Sequence, residues 1–441
     1  QSTNVSDIDL TPQGDGTIPK EKLNKVYDIF LNQSGEKKSR PADEGDRPQS
    51  GKLGKISYVL NGGILADGSL TEYGNTDYGY VPPKPTKEDY TFVGWSPASI
   101  PTDSTGNITF TAQWKESSAT LLDGSTIHSR FAILGKGNAN ITAIQQSSEQ
   151  PSEAVIADAN SLISTTDSEN PVYAWFDNGT IKRWSKAKQI NTGSNMMTLC
   201  TDMKNLTDIS GLANWNTSKM TNVIAMFMNC TKLTNLSPLS NWDTSNVTDM
   251  YHMFGCCKSL TDLSPLGNWN TSNVTMIGNI FCYCSNLTNI SGLKNWNTNK
   301  MQNIGGAFYG CKNLTDISSL ANWDTSNVTN IGQTFYGCKN LTEISPLAHW
   351  NTGNVTNMDW VFRGCSITDI SPLANWDTSK VKNMTEMFYG CTNITDASQI
   401  NDWDISKVTK FTNMFFACPS HPEFTKRKGT WDSNGTFTPA A

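Results

Sequence analysis

The stretch LTDLSPLGNWNTSNVTMIGNIFCYCSN, residues 260–286, decides the fold because close copies of it recur along the second half of the chain. Its tryptophan is one of eight that stand 27 residues apart, with a single step of 26. A cysteine follows each tryptophan by 15 residues, and a phenylalanine precedes each of those cysteines by three. The three series are Trp215, Trp242, Trp269, Trp296, Trp323, Trp350, Trp376 and Trp403; Phe227, Phe254, Phe281, Phe308, Phe335, Phe362, Phe388 and Phe415; and Cys230, Cys257, Cys284, Cys311, Cys338, Cys365, Cys391 and Cys418. Self-similarity at this period indicates a solenoid, in which each repeat packs on its neighbours.

The apolar positions within one repeat suggest how it folds. In the first half they recur in steps of three, from Leu260 to Trp269, which favours a short strand with a bend at Pro265. In the second half, Val274 to Cys284, their spacing favours a short helix or helical turn. The polar segment between the halves predicts a turn whose side chains satisfy backbone groups. The predicted fold class is a β-rich, leucine-rich-repeat-like solenoid of short parallel strands with short helices or helical turns, in which equivalent residues form buried columns.

Eleven cysteines raise the question of disulfides. Successive coils of a solenoid lie about 4.8 Å apart with equivalent side chains in register, so eight cysteines at one repeat position predict a buried ladder of free thiols. Cys200 fits the same array, one repeat back, at the phenylalanine position. Cys256 and Cys282 lie outside the column on neighbouring repeats, and the sequence leaves a disulfide between them open. A metal site there is disfavoured, because the sequence shows no further ligand beside them.

The remaining segments complete a five-part prediction. Residues 1–54 read as a flexible leader with one short helix at 20–31, and residues 55–115 as a small β domain with strands near 55–63, 90–95 and 107–114. Residues 116–202 are predicted to cap the solenoid, with a hairpin at 171–184 around Asn178-Gly179. Eight repeats follow over 203–418, and a C-terminal cap over 419–441. The one missing residue, after Cys365, is expected to fall on an outward bend.

The β domain resembles the Listeria–Bacteroides repeat, also called the internalin B-repeat family. The likeness rests on Tyr58, Leu60, Gly62, Gly63, Pro85, Thr86, Lys87, Phe92, Val93, Gly94, Trp95, Thr111, Ala112, Gln113 and Trp114. The resemblance implies a β-grasp-like spacer of bacterial cell-surface proteins without catalytic chemistry.

The repeats resemble the bacterial surface-protein repeat of about 26 residues in the BspA-like leucine-rich repeat group. The motif is fullest at Phe308, Cys311, Leu314, Thr315, Ile317, Trp323, Thr325, Ser326, Asn327 and Val328. Residues 171–184 and 429–439 resemble the flanking caps of the same group. This resemblance implies a secreted or wall-associated bacterial protein that contacts hosts or other microbes.

The net charge, the apolar runs and the histidines exclude several classes of function. A net charge of −6 gives no reason to expect nucleic acid or an anionic membrane as partner, and no apolar run approaches the roughly 20 residues that span a bilayer. A start at Gln1 is expected of a mature secreted protein whose signal peptide has been removed. The four histidines form no metal or nucleophile motif. We therefore expect no enzyme, cofactor or metal.

Two sets of residues are candidates for the binding site, the tryptophan column and the variable positions around each phenylalanine. Tryptophans exposed along the array would stack on sugars, whereas buried ones would donate their indole N–H to a carbonyl of an adjoining coil, and regular occurrence in every repeat favours burial. The variable positions around each phenylalanine are then the better candidates. These are Tyr251, His252, Tyr283, Tyr309, Tyr336, Asp359, Trp360 and Arg363.

The expected function is extracellular recognition or adhesion, with a host or microbial protein or glycan as partner. A structural cell-surface stalk without a ligand is the first alternative. A carbohydrate-binding module that uses exposed aromatic residues is the second.

Overall fold

The structure, a computed structural model, describes residues 51–441. The predicted leader helix at 20–31 lies outside these residues. The described residues form two compact units, one of residues 51–86 and 92–113 and the other of residues 87–91 and 114–441.

The first unit is built on a four-stranded mixed sheet. Its strands are β1 (Lys52–Val59), β2 (Glu72–Gly74), β3 (Tyr90–Ser96) and β4 (Ile108–Glu116), in the order β2-β1-β4-β3. β1 pairs antiparallel with β2 and parallel with β4. All three predicted strands are present, and β1 begins three residues before the predicted domain boundary at 55. Tyr73, Trp95 and Phe110 fill the core, because these rings project from strands onto one face of the sheet.

The N-terminal part of the second unit contains the predicted hairpin and two helices that the sequence did not reveal. The hairpin, β7 (Tyr173–Asp177) and β8 (Thr180–Trp184), is joined by parallel pairing of β6 (Ala143–Gln146) to β8. A second sheet of β5 (Ser118–Thr120), β9 (Gln189–Asn191) and β10 (Trp215–Asn216) is parallel throughout. The helices are α1 (Gly124–Leu134) and α2 (Glu153–Ala157).

The repeats follow, each marked by one 3₁₀ helix. The helices are Ser210–Leu212, Ser237–Leu239, Ser264–Leu266, Ser291–Leu293, Ser318–Leu320, Ser345–Leu347, Ser371–Leu373 and Ser398–Ile400. They occupy the first half of each repeat, where a strand and bend were expected. The predicted bend at Pro265 is present as the helix Ser264–Leu266, which has proline at its second position. The predicted short strand is reduced to an isolated parallel bridge between Asp262 and Asn289.

The second half of each repeat is a hydrogen-bonded ladder of turns. Of the two predicted forms, a short helix or a helical turn, the helix was wrong. In residues 250–256 every second backbone N–H donates to the next repeat, as from His252 to Gly278 and from Cys256 to Cys282. Of the remaining N–H groups, those of Met253 and Gly255 donate to the carbonyl three residues back, and that of Tyr251 donates to the side chain of Asp249. Two positions per repeat adopt positive φ, here 57° at His252 and 62° at Cys256, which no α-helix accommodates.

Along this ladder, pairs of consecutive side chains alternate between the core and the surface. Met253 and Phe254 are buried, whereas Tyr251 and His252 before them face outward. The inward positions therefore keep the spacing of three and four residues that an amphipathic helix would show. The apolar pattern alone does not separate the two structures.

Aspartate or asparagine side chains hold three corners in most repeats. In one repeat Asp243, Asp249 and Asp262 each accept a bond from the backbone N–H two residues later, at 3.0, 2.9 and 2.8 Å. Such Asx turns mimic a backbone turn. Beside the first corner, Thr244 donates its hydroxyl to the carbonyl of Asn270 in the next repeat at 3.0 Å. The buried threonine column is thus a hydrogen-bonded ladder between coils.

Parallel bridges between equivalent residues of successive repeats begin with Asn195 and Asn222 and continue toward a hairpin that closes the stack. The one-residue deletion is absorbed without loss of register, because Asn357 still bridges to Asn383 and Ile367 is fully buried. The hairpin β11 (Gly429–Trp431) and β12 (Phe437–Pro439) ends the stack. There the carbonyl of Gly435 accepts the bond that Phe415 would otherwise donate to a further repeat. Among residues 51–441 no helix is long and apolar enough to span a membrane.

Candidate recognition surface

The tryptophan, phenylalanine and cysteine columns lie inside the stack. Each of the eight tryptophans is at most 4% exposed. Seven of them, from Trp242 to Trp403, donate their indole N–H to a leucine carbonyl of the preceding repeat at 2.9–3.1 Å. Trp215 is the exception, because its indole nitrogen is buried without a partner among the described residues. The tryptophan column therefore offers no ring face to a ligand.

The cysteine column bonds in the same way. Each thiol from Cys230 to Cys418 donates to a backbone carbonyl of the preceding repeat at 3.0–3.2 Å. All eleven cysteines are free. Burial raises the pKa of Cys311 and its column neighbours well above the ordinary thiol value, which keeps them protonated and unreactive.

The eight predicted surface residues all lie on one strip, because the ladder turns two pairs of side chains outward in each repeat. Tyr251 and His252 form the first pair of one repeat, and Asp359 and Trp360 form the first pair of another. Tyr283, Tyr309, Tyr336 and Arg363 occupy second pairs. The strip thus collects residues that stand far apart in the sequence.

Aromatic side chains form a continuous row on this strip, here called the tyrosine ribbon. It comprises Tyr283, Tyr309, Tyr336, Trp360, Arg363, Tyr389 and Phe416. The rings of Tyr309 and Tyr336 stack with centroids 4.3 Å apart, and those of Tyr389 and Phe416 stack at 4.6 Å. Tyr283 is 46% exposed, and the other members of the ribbon are half-buried. Partial burial raises the pKa of Tyr309.

Arg363 connects the two halves of the ribbon. Its guanidinium carbon lies 5.3 Å from the ring centre of Tyr336, 5.2 Å from that of Trp360 and 4.3 Å from that of Tyr389. It also pairs with the carboxylate of Glu386 at 2.9 Å. Cation–π contacts and the ion pair together fix the guanidinium in the row.

The sequence analysis missed Tyr389, Phe416 and Glu386. Tyr389 and Phe416 follow Tyr336 at multiples of the repeat interval once the deletion after Cys365 is counted. The repeat register could therefore have identified them. Glu386 had no comparable signal, because its partner Arg363 belongs to another repeat.

Beside the ribbon lies a polar depression, here called the glycine trough. Its floor is Gly278, Gly305 and Gly332, which occupy the same position in three successive repeats, and its ends are Tyr251 and Asp359. It encloses about 190 Å³. Its walls are side-chain amides, from Asn303, Asn330 and Asn357 on one side and from Asn279 and Gln333 on the other.

Close approach explains why the floor consists of glycine. A β-carbon on Gly332 would lie 2.1 Å from Oδ1 of Asp359, and one on Gly278 would lie 3.0 Å from the ring of Tyr251. Both end residues therefore fold over the floor. Oδ1 of Asp359 is shielded from solvent, yet it accepts no hydrogen bond from any residue of the described chain.

A third cluster joins the two cysteines that lie outside the column. Sγ of Cys282 is 3.4 Å from Nδ1 of His252, a residue the sequence did not associate with the pair. A hydrogen bond from Cys282 lowers the pKa of Cys256 to about 7, and the same interaction raises that of Cys282. Burial lowers the pKa of His252 and keeps its ring neutral. Within residues 51–441 no group of three or more His, Cys, Asp or Glu side chains could hold a metal ion.

The chain was compared with known proteins. No curated protein and no solved structure matches it. A family model described as "Mycoplasma protein of unknown function, DUF285" matches residues 191–320 and again residues 306–431. The two matches together span more than half of the 441 residues and coincide with the stacked repeats, so the chain belongs to the DUF285 family.

Proposed function

We propose that this chain is a non-catalytic recognition protein that works outside a bacterial cell, in secreted or surface-attached form. Its partner is a protein or glycan of a host or of another microbe. The BspA-like motifs of the repeats and the Listeria–Bacteroides motifs of the β unit support this location. They also support a finer fold assignment, a leucine-rich-repeat-like solenoid whose two ends are capped.

The tyrosine ribbon is the observation that carries the proposal. Tyrosine, tryptophan and arginine are the residues that most often dominate the free energy of protein association, and tyrosine provides contact area at low cost in side-chain entropy. Here such residues form one row across successive repeats, and Arg363 is already held in place by its neighbours. A row that is ordered before binding loses less entropy on association.

The charge of the ribbon points in the same direction. Arg363 is neutralised by Glu386, and the chain as a whole carries a net charge of −6. Contact through ring faces and tyrosine hydroxyls therefore suits a protein surface better than a polyanion.

Binding to immobilised extracellular-matrix proteins, bacterial cell-wall preparations and glycan arrays tests the proposal. We expect saturable binding to at least one target, weakened at least tenfold in the double variant Tyr309→Ala with Tyr336→Ala. The matched control is Lys312→Ala with Lys339→Ala, two exposed positions in the same repeats outside the ribbon. It should bind like the unmodified chain.

A structural stalk without a ligand gives a different result. A stalk would show no saturable binding to any target, and that outcome would overturn the proposed function. Saturable binding that is equal in both double variants would overturn the tyrosine ribbon as the binding surface.

A further inference from the structure

We propose that the glycine trough is a binding site for one neutral, hydroxyl-rich sugar residue of a glycan. This inference rests on the proposed recognition function and names the chemistry of a ligand for part of that surface.

Side-chain amides in the wall of the trough supply hydrogen-bond donors. Oδ1 of Asn303 and Oδ1 of Asn330 already accept the backbone N–H groups of Gly305 and Gly332, each at 2.8 Å. The amide nitrogens of the wall therefore turn toward the floor. A β-carbon on Gly305 would lie 3.1 Å from Nδ2 of Asn330, and one on Gly332 would lie 2.8 Å from Nδ2 of Asn357.

Asp359 supplies the acceptor. Its carboxylate lines the trough and lies over the same floor. Its Oδ1 packs against the floor without a protein donor, and an acceptor without a partner is unfavourable. A turn of this side chain toward a hydroxyl bound in the trough would give the oxygen a donor. The trough thus places amide donors and a carboxylate acceptor within one small volume.

The combination of donors and acceptor selects the ligand class. A hydroxyl group donates and accepts, whereas an ammonium group only donates and a phosphate or carboxylate mainly accepts. Nδ2 of Asn357 already donates one hydrogen to Oδ1 of Asn330 at 3.1 Å. An ammonium would leave the amide of Asn330 and the second hydrogen of the Asn357 amide without an acceptor. An anion would face the charge of Asp359, with no Lys or Arg among the residues that line the trough. Neighbouring sugar hydroxyls satisfy both kinds of group.

Size and shape agree with a single ring. About 190 Å³ is below the roughly 300–1,000 Å³ of pockets for drug-sized ligands. Tyr251, a residue that is 37% exposed, closes one end, and its ring lies against Gly278 of the floor. An aromatic ring at this place suits contact with the C–H side of a sugar. Trp360 follows Asp359 at the other end and lies 5.6 Å from Tyr336, so a sugar in the trough would sit next to the ribbon.

Saturation-transfer NMR on the full chain tests the proposal. The panel contains galactose, glucose, mannose, fucose, N-acetylglucosamine and N-acetylgalactosamine, with sialic acid as the anionic probe and glucosamine and lysine as the cationic probes. We expect at least one neutral sugar to bind in preference to the charged probes. Its affinity should fall about tenfold in Asp359→Ala, since a hydrogen bond to a charged group contributes about 1.5–3 kcal/mol.

The controls separate a loss of sugar binding from misfolding and from a general surface effect. Asp359→Asn keeps the shape of the carboxylate, so a similar thermal midpoint together with weaker sugar binding attributes the loss to the carboxylate charge. Lys312→Ala with Lys339→Ala, at exposed positions outside both the trough and the ribbon, should leave sugar binding unchanged. Absence of binding by every neutral sugar, equal affinity in Asp359→Ala, or preference for lysine or sialic acid would overturn the assignment. Protein binding through the ribbon would survive each of those outcomes, so failure of the trough is distinguishable from failure of the proposed function.

Discussion

The indole nitrogen of Trp323 lies 3.1 Å from the backbone oxygen of Leu293 in the preceding repeat. That oxygen also accepts the backbone N–H of Trp296 in its own repeat, so both lone pairs of one carbonyl are used. The bond recurs from Trp242 to Trp403. It explains why a residue as large as tryptophan occupies every repeat: one side chain fills the corner and ties two coils together.

Replacing this indole should destabilise the stack. Trp323→Phe removes ring volume from the core and leaves the Leu293 carbonyl with one partner fewer. We expect a loss of about 2–3 kcal/mol in the free energy of unfolding, measured by guanidinium denaturation. Trp360→Phe is the control, since that ring belongs to the ribbon, and it should cost less than about 1 kcal/mol. Equal losses for the two variants would show that the buried tryptophans do not hold the coils together.

Acid should weaken the corners that aspartate holds. Hydrogen bonds from the serine two residues later lower the pKa of Asp243, Asp324, Asp377 and Asp404. A carboxylate whose pKa is lower in the folded state stabilises the fold above its unfolded pKa, and that contribution is lost as pH falls through the folded pKa.

Other repeats supply a matched variant, because asparagine stands at the same corner, as at Asn270. Changing the four aspartates to asparagine keeps the turn and removes the titration. The decrease in melting temperature from pH 7 to pH 3 should be smaller in this variant than in the unmodified chain. An identical decrease would contradict a role for these carboxylates.

Cys256 should be the reactive thiol of the chain. Its hydrogen bond from Cys282 sets its pKa at about 7, so thiolate is present above that pH and disappears below it. The rate of alkylation by iodoacetamide, followed by peptide mass spectrometry, should be half-maximal near pH 7. Cys282→Ala removes the donor and should move the midpoint up by about one unit or more, toward the ordinary thiol value near 8.5. An unchanged midpoint would rule out the thiol–thiol bond as the cause.

Much of the repeat architecture followed from spacing alone. The spacing of recurring residues was enough to predict the length of the repeat and the residues of each column. It was also enough to predict that the deletion after Cys365 leaves the columns intact. The repeat register placed Tyr309 and Tyr336 on one outward row. Such inferences succeed because each repeat contacts only its neighbours.

The conformation within a repeat did not follow. Spacing of three and four residues suits both a helix and a ladder with two positions at positive φ, and residues such as Ala225 and Cys256 carry no preference for that region. The YGC sequences, in which Gly310, Gly337 and Gly390 take up positive φ, were the available hint.

The glycine trough could not be predicted from the sequence, because residues of several repeats form it. Glycine at Gly278, Gly305 and Gly332 is meaningful only once Tyr251 and Asp359 are seen to fold over it from neighbouring repeats. Long-range packing, rather than local preference, creates that site.

Native alkylation tests the in-register stack most directly. The chain is treated with N-ethylmaleimide before and after guanidinium denaturation, without reductant, and each cysteine is located by mass spectrometry. Cysteines 257, 284, 311, 338 and 365 should be unlabelled in the native chain and fully labelled after denaturation, since they are buried and free. Labelling of these positions in the native chain, or their failure to label after denaturation because they are paired in disulfides, would contradict the buried columns.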